Sequence, residues 1–150
     1  MILTKLALHN FGIYGGRHEI DLTIQKDKPI VLFGALNGSG KTTLLESIQF
    51  ALFGKNAKFI PKTKTAYLEF LKDSINRKNL DTSASVAVTF ETRKGTRISS
   101  YEVIRTWSVS TNKSQLDTVQ LFKNGEFDEE LSNRWPELSE NFFPSQLSDL

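Results

Sequence analysis

Ile30-Val31-Leu32-Phe33-Gly34-Ala35-Leu36-Asn37-Gly38-Ser39-Gly40-Lys41-Thr42-Thr43-Leu44-Leu45-Glu46-Ser47-Ile48-Gln49-Phe50-Ala51-Leu52-Phe53, closed by Gly54, carries three signals in a row. The first is the apolar run Ile30 to Phe33, opened by Pro29 and ended by Gly34, which predicts a short buried central strand. The second is Ala35 to Thr42, which fits a phosphate-binding loop with Ala35 where the first glycine usually stands. The third is the apolar series at positions 44, 45, 48, 51 and 52, whose spacing predicts a helix from Thr42 to Phe53 with Gly54 as its stop. Strand, glycine-rich turn and helix, in that order, make an α/β unit and give the loop the setting its chemistry requires.

That chemistry explains the residue types. Backbone N–H groups from Asn37 to Lys41 must wrap a polyphosphate, and Gly38 and Gly40 permit the dihedrals and the close approach. The helix starting near Lys41 aims its positive dipole end at the same anion. Lys41 reaches the β and γ phosphates as a point charge and is the candidate catalytic residue. Thr42 offers a hydroxyl to Mg²⁺, a hard cation that prefers oxygen. Thr43 donates to the α phosphate. The candidate binding set is therefore Asn37, Gly38, Ser39, Gly40, Lys41, Thr42 and Thr43, with Thr42 as the metal ligand, Mg²⁺ as the metal and a nucleotide's polyphosphate as the ligand; that the nucleotide is ATP is what the resemblance given below implies. A glycine-rich turn without a ligand is the competing reading, and the flanking strand and helix signals disfavour it.

Outward from the loop, the elements are simpler. Residues 2–11 and 17–24 read as a hairpin, with Ile2, Leu6 and Leu8 on one side, Leu3, Ala7 and Phe11 on the other, and Ile20, Leu22 and Ile24 inward. A second helix is expected over 64–78, with Tyr67, Leu68, Leu71 and Ile75 on one face. Period two returns at Val86, Val88 and Phe90, again at Tyr101 to Val109, and at Val119 to Phe122. This is an antiparallel meander with Asn124-Gly125 as a tight turn. Trp107 and Trp135 are expected to fill the core. A polar loop occupies 110–116, and 127–150 reads as one or two short helices broken near Pro136 and Pro144.

Composition narrows the rest. The 150 residues suit one domain or part of a larger one, with 39% hydrophobic residues and a net charge of +2. There is no cysteine, which excludes a disulfide scaffold, a thiolate zinc site and a cysteine nucleophile. His9 and His18 lack ligand-like spacing and fall on predicted strands, so neither is given a catalytic role. No apolar run spans a membrane, and the first residues lack the pattern of a signal peptide, so a cytoplasmic location is expected. Charge is unevenly placed. Lys55, Lys58, Lys62, Lys64, Lys72, Arg77 and Lys78 crowd 55–78, and acids crowd 126–150. Two solvated faces, or a basic rim near phosphate or nucleic acid, both fit. Glu46 and Asp73 read as helix-surface charges.

The absences matter as much. Hydrolysis on this scaffold requires an acidic residue after a second apolar strand. The nearest approach, Val86-Ala87-Val88-Thr89-Phe90-Glu91, has a threonine in the run and no aspartate. Asn112-Lys113-Ser114 is followed by Gln115, with no carboxylate to read guanine. The chain holds a nucleotide without the parts to cleave it.

A strand ending in Asn10-Phe11, the loop Asn37-Gly-Ser-Gly-Lys-Thr-Thr-Leu-Leu-Glu46, and a helix ending Ala51-Leu52-Phe53-Gly54-Lys55 together resemble the N-terminal lobe of SMC-like coiled-coil ATPases, the group that includes SbcC and RecF. Leu36-Asn37-Gly38 after Phe33-Gly34-Ala35, and the closing stretch Phe142 to Leu150, most resemble the DndD family of bacterial DNA phosphorothioate (sulfur) modification. The resemblance implies a P-loop ATPase head of SMC/ABC type. Residues 1–150 would be its N-terminal lobe, with a mostly parallel core sheet beside the antiparallel meander. It further implies a coiled coil and a C-terminal lobe elsewhere, a homodimer of heads around ATP, action on DNA by the full-length protein, other DNA-modification proteins as partners and no membrane. ATP hydrolysis is expected only in the full-length protein. A break-repair or antiphage ATPase, and a non-enzymatic assembly module with a vestigial loop, are the alternatives. Many relatives have arginine where this chain has Gly12, for which Arg17 is a candidate substitute, and Gln146 is a candidate metal contact.

Overall fold

The computed structural model describes all residues except 26, 61, 79–81, 110–116 and 144–150. The polar loop with Asn112-Lys113-Ser114, the break at Pro144, Gln146 and most of the closing stretch therefore lie outside the described residues.

Alternating sequence produces the sheet. Strands β1 (Ile2–Phe11), β2 (Tyr14–Asp21), β3 (Ser83–Lys94), β4 (Arg97–Ser108), β5 (Asp117–Lys123) and β6 (Glu126–Phe127) form six strands in the order β2-β1-β3-β4-β5-β6. Every pairing is antiparallel. Side chains alternate across a strand, so one face collects Leu6, Leu8, Val86, Val88, Phe90, Val103, Trp107 and Leu121, all buried. Each such side chain contributes about 1.5–3 kcal/mol when fully buried. Helix α1 (Lys41–Phe53) lays Phe50 and Ala51 on this face. Helix α3 (Glu129–Phe142) adds Trp135, whose indole N–H donates to the Leu52 carbonyl at 2.9 Å. Helix α2 (Lys64–Asp73), capped by the Thr63 hydroxyl, contributes Tyr67 and Leu71. Both tryptophans are core residues, as expected.

Four expectations are corrected. Phe11 joins Leu6 and Leu8 instead of opposing them. A register shift between His9 and Phe11, with Asn10 at φ +50°, turns the ring inward onto Phe50 and Trp107. Helix α2 stops at Asp73, short of 78, and leaves Leu68 exposed. Helix α3 runs through Pro136 without breaking. Trp135 on one side of the proline and Phe142 and Phe143 beyond it pack on Phe90, which holds the axis across the missing hydrogen bond.

The fourth correction is the largest. The mostly parallel core sheet is not found among the described residues, and Ile30 to Phe33 are not a buried strand. They pair with nothing among the described residues and are solvent-facing, with Leu32 87% exposed. The edges of the sheet are β2 and β6, so the run lies outside the ladder. Its composition suits a strand covered on both faces, but no described element supplies either cover.

Candidate phosphate-binding site

Gly38 and Gly40 both sit at positive φ, +78° and +94°. Their requirements differ. A Cβ at Gly38 would meet nothing within 4 Å, so there glycine serves backbone conformation alone. A Cβ at Gly40 would lie 2.6 Å from Ile13 Cδ1 and 2.7 Å from the Tyr14 hydroxyl, so there it serves space as well. Between them the Ser39 amide and hydroxyl both donate to the Leu36 carbonyl, at 3.3 and 2.5 Å, closing the turn.

Gly40 is the N-cap of α1 and brings no side chain to the cap. Its carbonyl accepts the Leu44 amide at 2.9 Å. The amides of Lys41, Thr42 and Thr43 have no acceptor among the described residues, and no acid occupies the first turn. Orphan donors and an uncancelled dipole at one helix end form an anion seat. Lys41 Nζ bends back over the loop and donates to the carbonyls of Ala35 at 2.7 Å and Leu36 at 2.8 Å. An ammonium carries three donors, so one remains for a ligand in this pose. Asn37, Ser39, Lys41 and Thr42 are exposed, while Thr43 is half-buried.

Thr43 is half-buried because Gly12 lies against it. A Cβ on Gly12 would fall 2.8 Å from Thr43 Cγ2. Gly12 thus packs closely on the loop's helix, at φ +57°. Arg17, the candidate substitute for an arginine there, donates from both Nε and Nη2 to Glu19 on β2. That bond and the guanidinium charge hold the Glu19 carboxyl below its usual range.

For a metal, the described residues hold no group of three or more His, Asp or Glu side chains suited to one. The exposed Thr42 hydroxyl fits Mg²⁺, which keeps several waters and takes phosphate oxygens beside one or two protein ligands. Glu91 cannot serve the loop. It pairs with Ile2, at the end of β1 far from Gly12, about 30 Å away by strand rise.

Three supports around the loop carry no motif of their own in the sequence. Tyr14 donates from its hydroxyl to the Gly40 carbonyl at 3.3 Å. Asn76 grips the β1–β2 turn, its amide donating to the Gly12 carbonyl at 2.8 Å, while the Gly12 amide donates to Ser74 at 2.7 Å. At the other end of α1, buried Arg105 donates from Nε to the Phe50 carbonyl at 3.0 Å and pairs with Asp117. A polar residue in an apolar strand phase was the available signal for Arg105. Asn10, noted in the sequence only as part of the Asn10-Phe11 strand end, is buried at a positive φ and accepts the Gly16 amide at 2.7 Å.

The chain is similar to known proteins in sequence and in fold. A family model described as "AAA domain" matches residues 5–149. The chain is 43% identical over 51 residues to SbcC of the SbcCD nuclease from Vibrio cholerae, a match covering 34% of this chain and 5% of that protein. It is 39% identical over 57 residues to the DNA double-strand break repair Rad50 ATPase of Halobacterium salinarum, covering 38% of this chain and 6% of the relative. The chain thus spans about one-twentieth of these relatives. Among solved structures, the SMC head domain from Thermotoga maritima aligns with a TM-score of 0.50 at 20% identity, over 89% of this chain and 42% of that one. The fold is that of an ATPase head lobe. No described helix is long and apolar enough to cross a membrane.

Proposed function

Because the chain belongs to the AAA-domain family, with SMC-, SbcC- and Rad50-like relatives, we propose that Ala35 to Thr43 bind the triphosphate of ATP with Mg²⁺. Residues 1–150 then act as the ATP-binding, N-terminal lobe of an SMC-like ATPase that works on DNA. The observation that carries this is the run of three amides at the start of α1 without an acceptor among the described residues, behind two left-handed glycines and with the Lys41 ammonium held on the loop carbonyls. Lys41 neutralises the β and γ phosphates, and Thr42 supplies the metal's protein oxygen. Thr43 closes on the α phosphate.

Hydrolysis requires an acid, and Glu91, the nearest match in the sequence, lies at the far end of β1 from the loop, so turnover is assigned to a head completed by a C-terminal lobe and a second head. Exposed Ile30, Leu32, Phe33 and Leu36, and Leu45 on α1, offer apolar surface such a lobe would cover. DNA, and other DNA-modification proteins, are partners of the full-length protein. For the pathway, the Leu36-Asn37-Gly38 form supports DNA sulfur modification in the manner of the DndD family. The similarity to SbcC and to the break-repair ATPase Rad50 favours a second reading, break repair.

Calorimetric titration with ATP–Mg²⁺ tests the site. Wild type binds and Lys41→Ala binds far more weakly; equal binding by both refutes the reading. Phosphate release by this lobe stays at the blank. If ATP leaves the protease sensitivity of the wild type unchanged, the loop is vestigial and the chain is an assembly module.

A further inference from the structure

The β1–β2 turn reaches the phosphate loop from the sheet side. The Tyr14 hydroxyl hangs on the Gly40 carbonyl, the same oxygen that accepts the first helical bond from Leu44. That oxygen belongs to the N-cap of α1, so holding it fixes the three acceptor-free amides that follow. The ring also covers the Gly40 Cα, where a methyl would sit 3.0 Å from Tyr14 Cε2. The tyrosine is itself fixed. Its ring meets His18 edge-on at 5.3 Å, and the His18 imidazole bonds to the Gly15 carbonyl at 2.9 Å. Asn76 and Ser74 tie the turn to the segment after α2. Burial raises the Tyr14 phenol above its ordinary value, so it remains a donor throughout the neutral range.

We propose that Tyr14 is a positioning residue of the phosphate site: it holds Gly40 from the sheet and thereby sets the direction in which the Lys41, Thr42 and Thr43 amides face a polyphosphate. The inference rests on reading Ala35 to Thr43 as an ATP site. Tyr14 acts through Gly40 and is not assigned a contact with the ligand.

Tyr14→Phe keeps the ring and removes the hydroxyl. Ser132→Ala is the control. Its hydroxyl accepts the Leu121 amide at 2.8 Å and donates to the Asp128 carbonyl at 2.6 Å, joining β5 to α3. Affinity for ATP–Mg²⁺ is measured by calorimetry for wild type, Lys41→Ala, Tyr14→Phe and Ser132→Ala. Thermal midpoints, and amide exchange over 38–45 without nucleotide, are measured for each. A bond of 3.3 Å is longer than the usual hydroxyl–carbonyl distance. The expected loss for Tyr14→Phe is therefore about threefold in affinity, toward the low end for one hydrogen bond. Faster exchange in the loop should accompany it. Ser132→Ala should lower the midpoint and leave affinity unchanged. Unchanged affinity in Tyr14→Phe, where wild type binds and Lys41→Ala does not, overturns the role of Tyr14 alone. An equal affinity loss in Ser132→Ala makes the effect one of general stability and overturns it too. Failure of the wild type to bind ATP removes the ATP reading first, and this inference with it.

Discussion

Gly38 and Gly40 share a backbone conformation and differ in surroundings, so alanine at each separates two physical effects. At Gly38 a methyl meets open space, and the only penalty is the left-handed dihedral at φ +78°. That costs about 1–2 kcal/mol for a residue with a Cβ. At Gly40 the same penalty applies at φ +94°, and the methyl lands 2.6 Å from Ile13 Cδ1 and 2.7 Å from the Tyr14 hydroxyl. The isoleucine tip can swing aside. The tyrosine is pinned by its hydroxyl and by His18, so the ring must shift or the start of α1 must rise. Overpacking of this kind adds about 1–3 kcal/mol. Gly40→Ala should therefore lose about 2–5 kcal/mol in urea unfolding, and Gly38→Ala no more than about 1–2 kcal/mol. The exposed loop around Gly38 can relax without unfolding the sheet, so that variant should show its main effect in ATP titration. Equal destabilisation by the two substitutions, or a larger loss at Gly38, would refute the claim that the β1–β2 turn presses on the loop.

Further outcomes follow from the core and the charges. Arg105→Met leaves Asp117 half-buried without its cation and the Phe50 carbonyl without its donor, and should cost about 3–5 kcal/mol in urea unfolding. The double variant with Asp117→Leu should regain much of that loss, and failure to regain any would show that Arg105 acts by packing instead. Trp135→Ala removes a fully buried ring and its bond to Leu52, for about 3–5 kcal/mol by the same assay. Burial raises the Glu46 carboxyl above its ordinary value. The folded state then holds its proton to higher pH than the unfolded chain does, so this group's effect is a loss of stability as pH rises through the glutamate range. Glu46→Gln should be the more stable form near neutrality and should converge with wild type in acid, and parallel pH–stability curves would contradict it.

What the sequence disclosed followed from local chemistry. Period-two stretches became β3, β4 and β5, Asn124-Gly125 turned at φ +53° and +85°, and the helix after the loop ended at Gly54. Each depended on neighbours in the chain. The features that escaped depend on distant residues. The placing of Phe11 on the side opposite Leu6 and Leu8 was reversed at Asn10, whose carbonyl accepts the Asn76 amide at 2.7 Å. Arg105 lies in apolar phase because the C-terminal end of α1 supplies an acceptor there. The loop glycines were legible as a pair; that Gly40 alone lies beneath a tyrosine was not. Glu46, read as a surface charge, is partly desolvated on a helix whose neighbouring turns are apolar.

The misplaced strand and the character of α1 have one physical cause. An amphipathic helix covering one sheet carries a single apolar stripe. Helix α1 does not: Phe50, Ala51 and Leu52 are buried, Leu44 and Ile48 are partly buried against the core, and Leu45 is 48% exposed. A helix with apolar residues around so much of its girth is stable when layers lie on more than one side. The described sheet supplies one layer. Ile30 to Phe33, apolar on both faces and immediately before the loop, is the natural first strand of another, and it remains exposed because no described strand pairs with it. The phosphate loop is the connection between that strand and α1. Nucleotide bound there would sit on the seam between the layer present and the layer proposed. Docking of the second lobe on Ile30, Leu32 and Leu45 would then hold the loop in addition to Tyr14. Affinity for ATP should consequently rise when that lobe is added in trans, and Leu32→Asp should abolish the gain without changing the affinity of the lobe alone. A gain that survives Leu32→Asp would place the second layer elsewhere.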